Sequence, residues 1–191
     1  IASGHNDRSF FVRADDNGQA MHVLGWLTPP DDLARTVMPS SVRLGAAHFL
    51  TAVRRKIEER FVDAPPIARN WIEVFESTDG ARAWRSVGEV AETDNGRQNG
   101  NPPSLVHLGG GRIAVIYGYR GVARTIRARL SADLGRSWSA EILLRRDVGY
   151  AGGISEVKKI AALAECHQLP LALHDCTGPV NFIVNTHLSA H

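Results

Sequence analysis

The apolar positions of this chain fall in short runs, and the pattern changes character near residue 150. Upstream, apolar or β-branched stretches occupy residues 20–27, 41–44, 49–53, 72–75, 104–108, 113–119, 125–130 and 142–144. Turn formers separate them: Asp15-Asp16-Asn17-Gly18, Pro29-Pro30-Asp31, Pro65-Pro66, Asp94-Asn95-Gly96, Asn99-Gly100-Asn101-Pro102-Pro103 and Gly109-Gly110-Gly111. Many short runs bounded by Gly and Pro predict an all-β meander. Residues 56–61 read as a turn of helix or a polar loop.

Downstream the period is helical. Ile154, Val157, Ile160, Ala161 and Ala164 recur at helix spacing, with Glu156, Lys158, Lys159 and Glu165 between them. Ser155 or the preceding glycines can start that helix. Residues 169–173 form a short apolar run suited to a buried parallel strand. Gly178-Pro179 opens a second helix, with proline well placed in its first turn. The pattern predicts helices at 154–166 and 179–189 flanking that strand, which is α/β grammar. The chain therefore divides into a mainly β segment, 1–147, and a short α/β tail, 148–191.

Composition adds limits. With 43% hydrophobic and 22% charged residues, a packed core is expected rather than disorder. The 22 basic and 20 acidic side chains are interspersed, for a net charge of +2, so nucleic acid is not an expected partner. No apolar run approaches the ~18 residues that cross a bilayer, and no signal peptide opens the chain, so a soluble protein with no membrane partner is expected. Cys166 and Cys176 lack CxxC spacing and read as structural thiols. The histidines show no metal-ligand spacing, and no metal site is expected from them.

Two octapeptides carry the most specific signal. Ser131-Ala132-Asp133-Leu134-Gly135-Arg136-Ser137-Trp138 fits S-x-D-x-G-x-[ST]-W at every position. Fifty-four residues earlier, Ser77, Asp79 and Trp84 stand in the same register, with Ala81 and Ala83 where Gly and Ser or Thr belong. In such a box, Ser and Asp can bond local amides and fix a hairpin turn, while Trp packs below it. Ser77, Asp79, Trp84, Ser131, Asp133, Gly135 and Trp138 are thus structural candidates. Repetition at one blade is what a propeller requires.

This is the Asp-box pattern, and residues 20–146 resemble sialidase-like β-propellers. Asn99 to Val106, Gly111-Arg112-Ile113 and Tyr117-Gly118-Tyr119-Arg120 look like one blade, and Met38 to Leu44 with Thr51 to Lys56 like another. The resemblance implies about three blades. It also implies glycosidase chemistry: an arginine trio on a sugar-acid carboxylate, a Tyr–Glu nucleophile pair and an acid/base Asp. Arg suits the first task because its planar fork meets a carboxylate bidentately. Arg54, Arg55, Tyr117, Tyr119 and Arg120 are the candidate substrate-binding residues, and a carbohydrate or sugar acid is the implied partner.

Residues 147–191 resemble the last part of the barrel in mandelate racemase-type members of the enolase superfamily. Asp147, Gly152-Gly153 and His174 follow that family's order, with 27 residues from Asp to His. The resemblance implies an Asp147–His174 dyad at one barrel rim, His acting as base or acid on a sugar acid. It implies Mg²⁺ only together with earlier barrel strands, so no cofactor is assigned to this chain by itself. A propeller and a (β/α)₈ barrel cannot share strands. The chain accordingly reads as a fusion or a fragment, inactive alone.

Overall fold

The computed structural model of the chain describes residues 7–59, 67–94, 100–121 and 124–146. The chain divides into two compact units, 1–146 and 147–191, and the described residues belong to the first. The expected tail helices and strand, with Asp147 and His174, lie outside the described residues.

The first unit is mainly β. Among the described residues, ten strands form three antiparallel sheets: β1 (Phe10–Asp15) with β2 (Ala20–Trp26); β3 (Arg35–Arg43), β4 (Phe49–Glu59), β5 (Ile67–Ser77) and β6 (Arg85–Glu92) in that order; and β7 (Pro103–Gly109), β8 (Arg112–Tyr119), β9 (Thr125–Ser131) and β10 (Ile142–Arg145) likewise. Each four-stranded sheet is a simple meander, the plan of a propeller blade. The eight predicted runs all coincide with strands. Residues 56–59, read as helix turn or loop, instead extend β4, because Lys56 pairs with Asn70 in an unbroken β4–β5 ladder. Strands β1 and β6 escaped the sequence reading, since Arg13, Arg85 and Glu89 interrupt their apolar pattern.

The sheets stack face to face. Leu50, Ala52, Ile72, Val74, Val90 and Ala91 of the second sheet meet Leu105, Ile113, Val115 and Tyr117 of the third in one apolar cluster. Leu27, Val53 and Phe75 form a second cluster on the opposite face, joined by Phe11 and Trp84. The second sheet is thus buried on both faces, which explains why β4 and β5 read as continuous apolar runs rather than alternating ones. Each fully buried Leu, Ile, Val or Phe contributes roughly 1.5–3 kcal/mol.

Both Asp boxes are turns, joining β5 to β6 and β9 to β10. They are nearly superimposable in their bonding. Ser77 Oγ donates to Asp79 Oδ1 at 2.8 Å and accepts from the Ala81 amide at 3.0 Å; Ser131 Oγ does the same to Asp133 at 2.7 Å and from the Gly135 amide at 2.8 Å. The Ala83 and Ser137 amides donate to the two aspartates at 3.0 and 2.9 Å. Trp84 and Trp138 are half-buried, each packed against one apolar cluster. Ala81 stands at φ 69° and Gly135 at φ 91°, so the third signature position does require the left-handed region.

Candidate functional site

The ends of β4 and β8 and the entries to β3 and β7 lie away from the Asp boxes. This end gathers the guanidinium groups that the sequence singled out, but not all of them. Side chains alternate across a sheet, so neighbours Arg54 and Arg55 must point to opposite faces. Arg55 faces the second cluster. It pairs with Asp32 at 2.8 Å and Glu73 at 3.1 Å, hydrogen-bonds Thr36, and lies over the Trp71 and Phe75 rings. It is only 6% exposed. Its charge is consumed inside the fold.

Arg54 faces the other way, toward the third sheet. Its Nη1 donates to the Gly100 carbonyl at 3.1 Å, and its Nε is buried with no acceptor among the described residues. Burial depresses its pKa, and the charges of Arg35 and Arg120 depress it further, against a smaller opposing effect of Asp7. Arg54 is therefore within electrostatic reach of both Arg35 and Arg120. Arg35 was not a sequence candidate. Its register partner is Lys56, two residues along β4 from Arg54, so it shares the Arg54 face. It is held there by Asp7, whose Oδ2 accepts from Arg35 Nε at 2.9 Å. Only strand register reveals this, because the two arginines lie far apart in sequence.

The segment before β7 bridges the sheets. Gly100 has no room for a side chain: a Cβ there would stand 2.2 Å from Thr93 Oγ1 and 2.9 Å from Asn70 Cβ. Close passage puts its carbonyl on Arg54. Asn101 lies against Gly118 and accepts from Arg120 Nε at 2.7 Å through Oδ1. The Arg120 amide donates to the Thr93 carbonyl at 2.8 Å. Beneath them Asn70 Nδ2 donates to the buried Asp94 at 3.1 Å. Arg54 and Arg120 are thus presented from two sheets by one short Gly-Asn link.

Tyr117 and Tyr119 are placed differently. Tyr117 is 2% exposed, and its hydroxyl donates to Glu141. Burial raises its pKa above the usual phenol range, and the Glu141 bond and charge raise it further. This is a Tyr–Glu pair, but one closed within the third sheet, where it ties β8 to the segment entering β10. Tyr119 is half-buried, with the Arg127 guanidinium 3.8 Å from its ring centroid. Among the described residues no three His, Cys, Asp or Glu side chains converge as a metal site. No helix among the described residues is long and apolar enough to cross a membrane.

Comparisons with known proteins bear on the tail and on the fold. The enolase C-terminal domain-like family matches residues 134–191, under a third of the chain. Its first part, 134–146, overlaps the end of the second Asp box and β10. No curated protein matches. Among solved structures, the chain is similar to the alpha-L-arabinofuranosidase arb93a of Fusarium graminearum in complex with an iminosugar inhibitor, at 17% identity and a TM-score of 0.52. A mutant of that enzyme matches at 15% and 0.48, and a protein of unknown function from Dyadobacter fermentans at 22% and 0.49. Each match covers 72% of this chain, but 41%, 41% and 34% of the other. The chain thus spans about two fifths of the arabinofuranosidase structure. The likeness is one of fold: a mainly β, propeller-like architecture.

Proposed function

We propose that this chain is a carbohydrate-binding segment of a sialidase-like propeller, recognising a sugar acid through Arg54 and Arg120 with Arg35 beside them. The carrying observation is the placement of Arg54, bonded to the Gly100 carbonyl, beside the charges of Arg35 and Arg120, with Asp7 opposing them. A half-buried guanidinium favours an anionic ligand, and its planar fork suits a carboxylate. Recognition rather than turnover is the reading for this chain. Tyr117, the tyrosine paired with a glutamate, is buried and shifted away from the phenolate that a nucleophile needs.

Calorimetric titration of the chain with N-acetylneuraminic acid, its methyl ester and arabinose tests this. The free acid is expected to bind, with the ester and the neutral sugar at least tenfold weaker, since one charge-assisted pair is worth about 1.5–3 kcal/mol. Arg54→Ala and Arg120→Ala should each abolish the preference. Equal binding of acid and ester overturns the reading, and a preference for arabinose points to the substrate class named for the fungal enzyme.

A second reading rests on the match to residues 134–191. It makes the tail the end of a sugar-acid dehydratase or racemase barrel, with Asp147 and His174 as the dyad. Sugar-acid dehydration lost in His174→Ala and kept in Arg120→Ala would favour it.

A further inference from the structure

A concavity of about 400 Å³ opens beside the β9–β10 edge, lined by Thr125, Arg127, Glu141, Leu143 and Arg146. None of these residues belongs to the Arg54 cluster. Register explains why they meet. Arg127 pairs with Tyr117 on one side and Leu143 on the other, so all three share a face of the third sheet. Arg127 is fixed three ways. Its Nε donates to Thr125 Oγ1 at 2.8 Å, its Nη1 donates to Glu141 Oε2 at 2.8 Å, and its guanidinium lies on the Tyr119 ring. The other Glu141 oxygen accepts from Tyr117. A guanidinium and a carboxylate are therefore locked side by side at a cavity wall, and both remain reachable, at 23% and 30% side-chain exposure.

Each partner keeps spare bonding capacity. Arg127 Nη2 has no partner among the described residues, and each carboxylate oxygen can accept a second bond. Arg127 and Glu141 cancel in charge, and the remaining lining cation, Arg146, is exposed to solvent, so the pair favours a ligand that both donates and accepts without needing net charge. A sugar's vicinal hydroxyls do this: one donates to Glu141 while its neighbour accepts from Arg127. Leu143, 42% exposed, offers an apolar wall for the C–H face of a ring. The volume lies in the range of small-ligand pockets, about 300–1,000 Å³. We infer that this concavity is a saccharide subsite for a neutral, hydroxyl-rich ring, distinct from the sugar-acid site and independent of it.

The test is an amide NMR titration of the full ¹⁵N-labelled chain with cellobiose, with lactose and, separately, with N-acetylneuraminic acid. One or both neutral disaccharides should shift the Thr125, Arg127, Glu141 and Leu143 amides. Glu141→Gln keeps an acceptor for Tyr117 but removes the charge, and should weaken disaccharide binding about tenfold. Leu143→Ala leaves the Tyr117–Glu141–Arg127 bonds intact and should weaken it too. Neither variant should alter N-acetylneuraminic acid binding, so this inference and the sugar-acid reading fail separately. Absence of disaccharide shifts at these four amides overturns the subsite. So does disaccharide binding that is unchanged in both variants, or shifts there with the acid alone.

Discussion

Asp133 shows how much one side chain can organise. Bonds from the Ser137 hydroxyl, the Ser131 hydroxyl and the Ser137 amide pull its pKa down to about 2. The folded value lies below the ordinary 3.8, so these bonds stabilise the fold above pH 4. That contribution is lost as the pH falls through about 2. Asp133→Asn should flatten the loss of stability between about pH 4 and 2, measured by urea unfolding across that window. Asp79 is also lowered, chiefly by the Ala83 amide and Ser77, but Ala83 offers no hydroxyl. The first box has a second weakness. Ala81 holds φ 69° where the other box has Gly135, while Gly80 stands one position early. A left-handed L-residue costs about 1–2 kcal/mol, partly offset by the greater chain entropy that glycine loses. Ala81→Gly should therefore raise unfolding free energy by about 0.5–1 kcal/mol, seen as a higher Tm. At Gly135 an added Cβ would meet nothing nearer than 3.4 Å, so Gly135→Ala should cost stability by conformation rather than by clash.

At the scale of the element, strand alternation separates two arginines that are adjacent in sequence. Arg55 neutralises Asp32 and Glu73 in the space between the first two sheets. Its removal leaves two acids largely buried without their partner, and breaking such a pair costs roughly 3–5 kcal/mol. Among the described residues Arg54 holds no carboxylate. Arg55→Ala should accordingly unfold at much lower urea, while Arg54→Ala should keep nearly normal stability and lose sugar-acid binding. Similar midpoints for the two variants would contradict the facing described here. The boxes act at this scale as well. β2 passes the first box so closely that a Cβ at Gly25 would stand 2.2 Å from the Arg82 carbonyl oxygen. Phe11 of β1 stacks on Trp84 with centroids 4.3 Å apart. One turn therefore docks a neighbouring hairpin in addition to closing its own.

At the scale of the whole molecule, both apolar clusters lie within residues 11–138, and every residue named in them belongs to the first unit. A chain ending at residue 149 should then retain its β-type circular dichroism and be no less soluble than the full chain. A sharp loss of solubility on that truncation would show that the tail is integral to the fold. Arg54, Arg120, Arg127 and Glu141 also lie upstream of the cut, so both proposed carbohydrate sites should survive it. Propeller sheets place binding groups by stacking, and the Arg54–Gly100 bond shows it: donor and acceptor come from different sheets.

What the sequence determined by itself is local. The short apolar runs bounded by Gly and Pro placed most strands, because strand and turn preferences act over a few residues. The Asp boxes were legible as turns, because Ser, Asp and Trp bond and pack within one turn. What crosses between strands was decided by the tertiary structure. β1 and β6 are fixed by pairing rather than by their own pattern. The entry of Arg35 into the Arg54 cluster depends on register between β3 and β4. The withdrawal of Arg55 and Tyr117 into the interior depends on which face each shares, and with which acid. Glu141 could not be foreseen as the partner of both Tyr117 and Arg127, because no spacing in the chain records that β8, β9 and the approach to β10 converge. Short-range bonding follows from residue order. Burial and charge pairing follow from which sheet faces which.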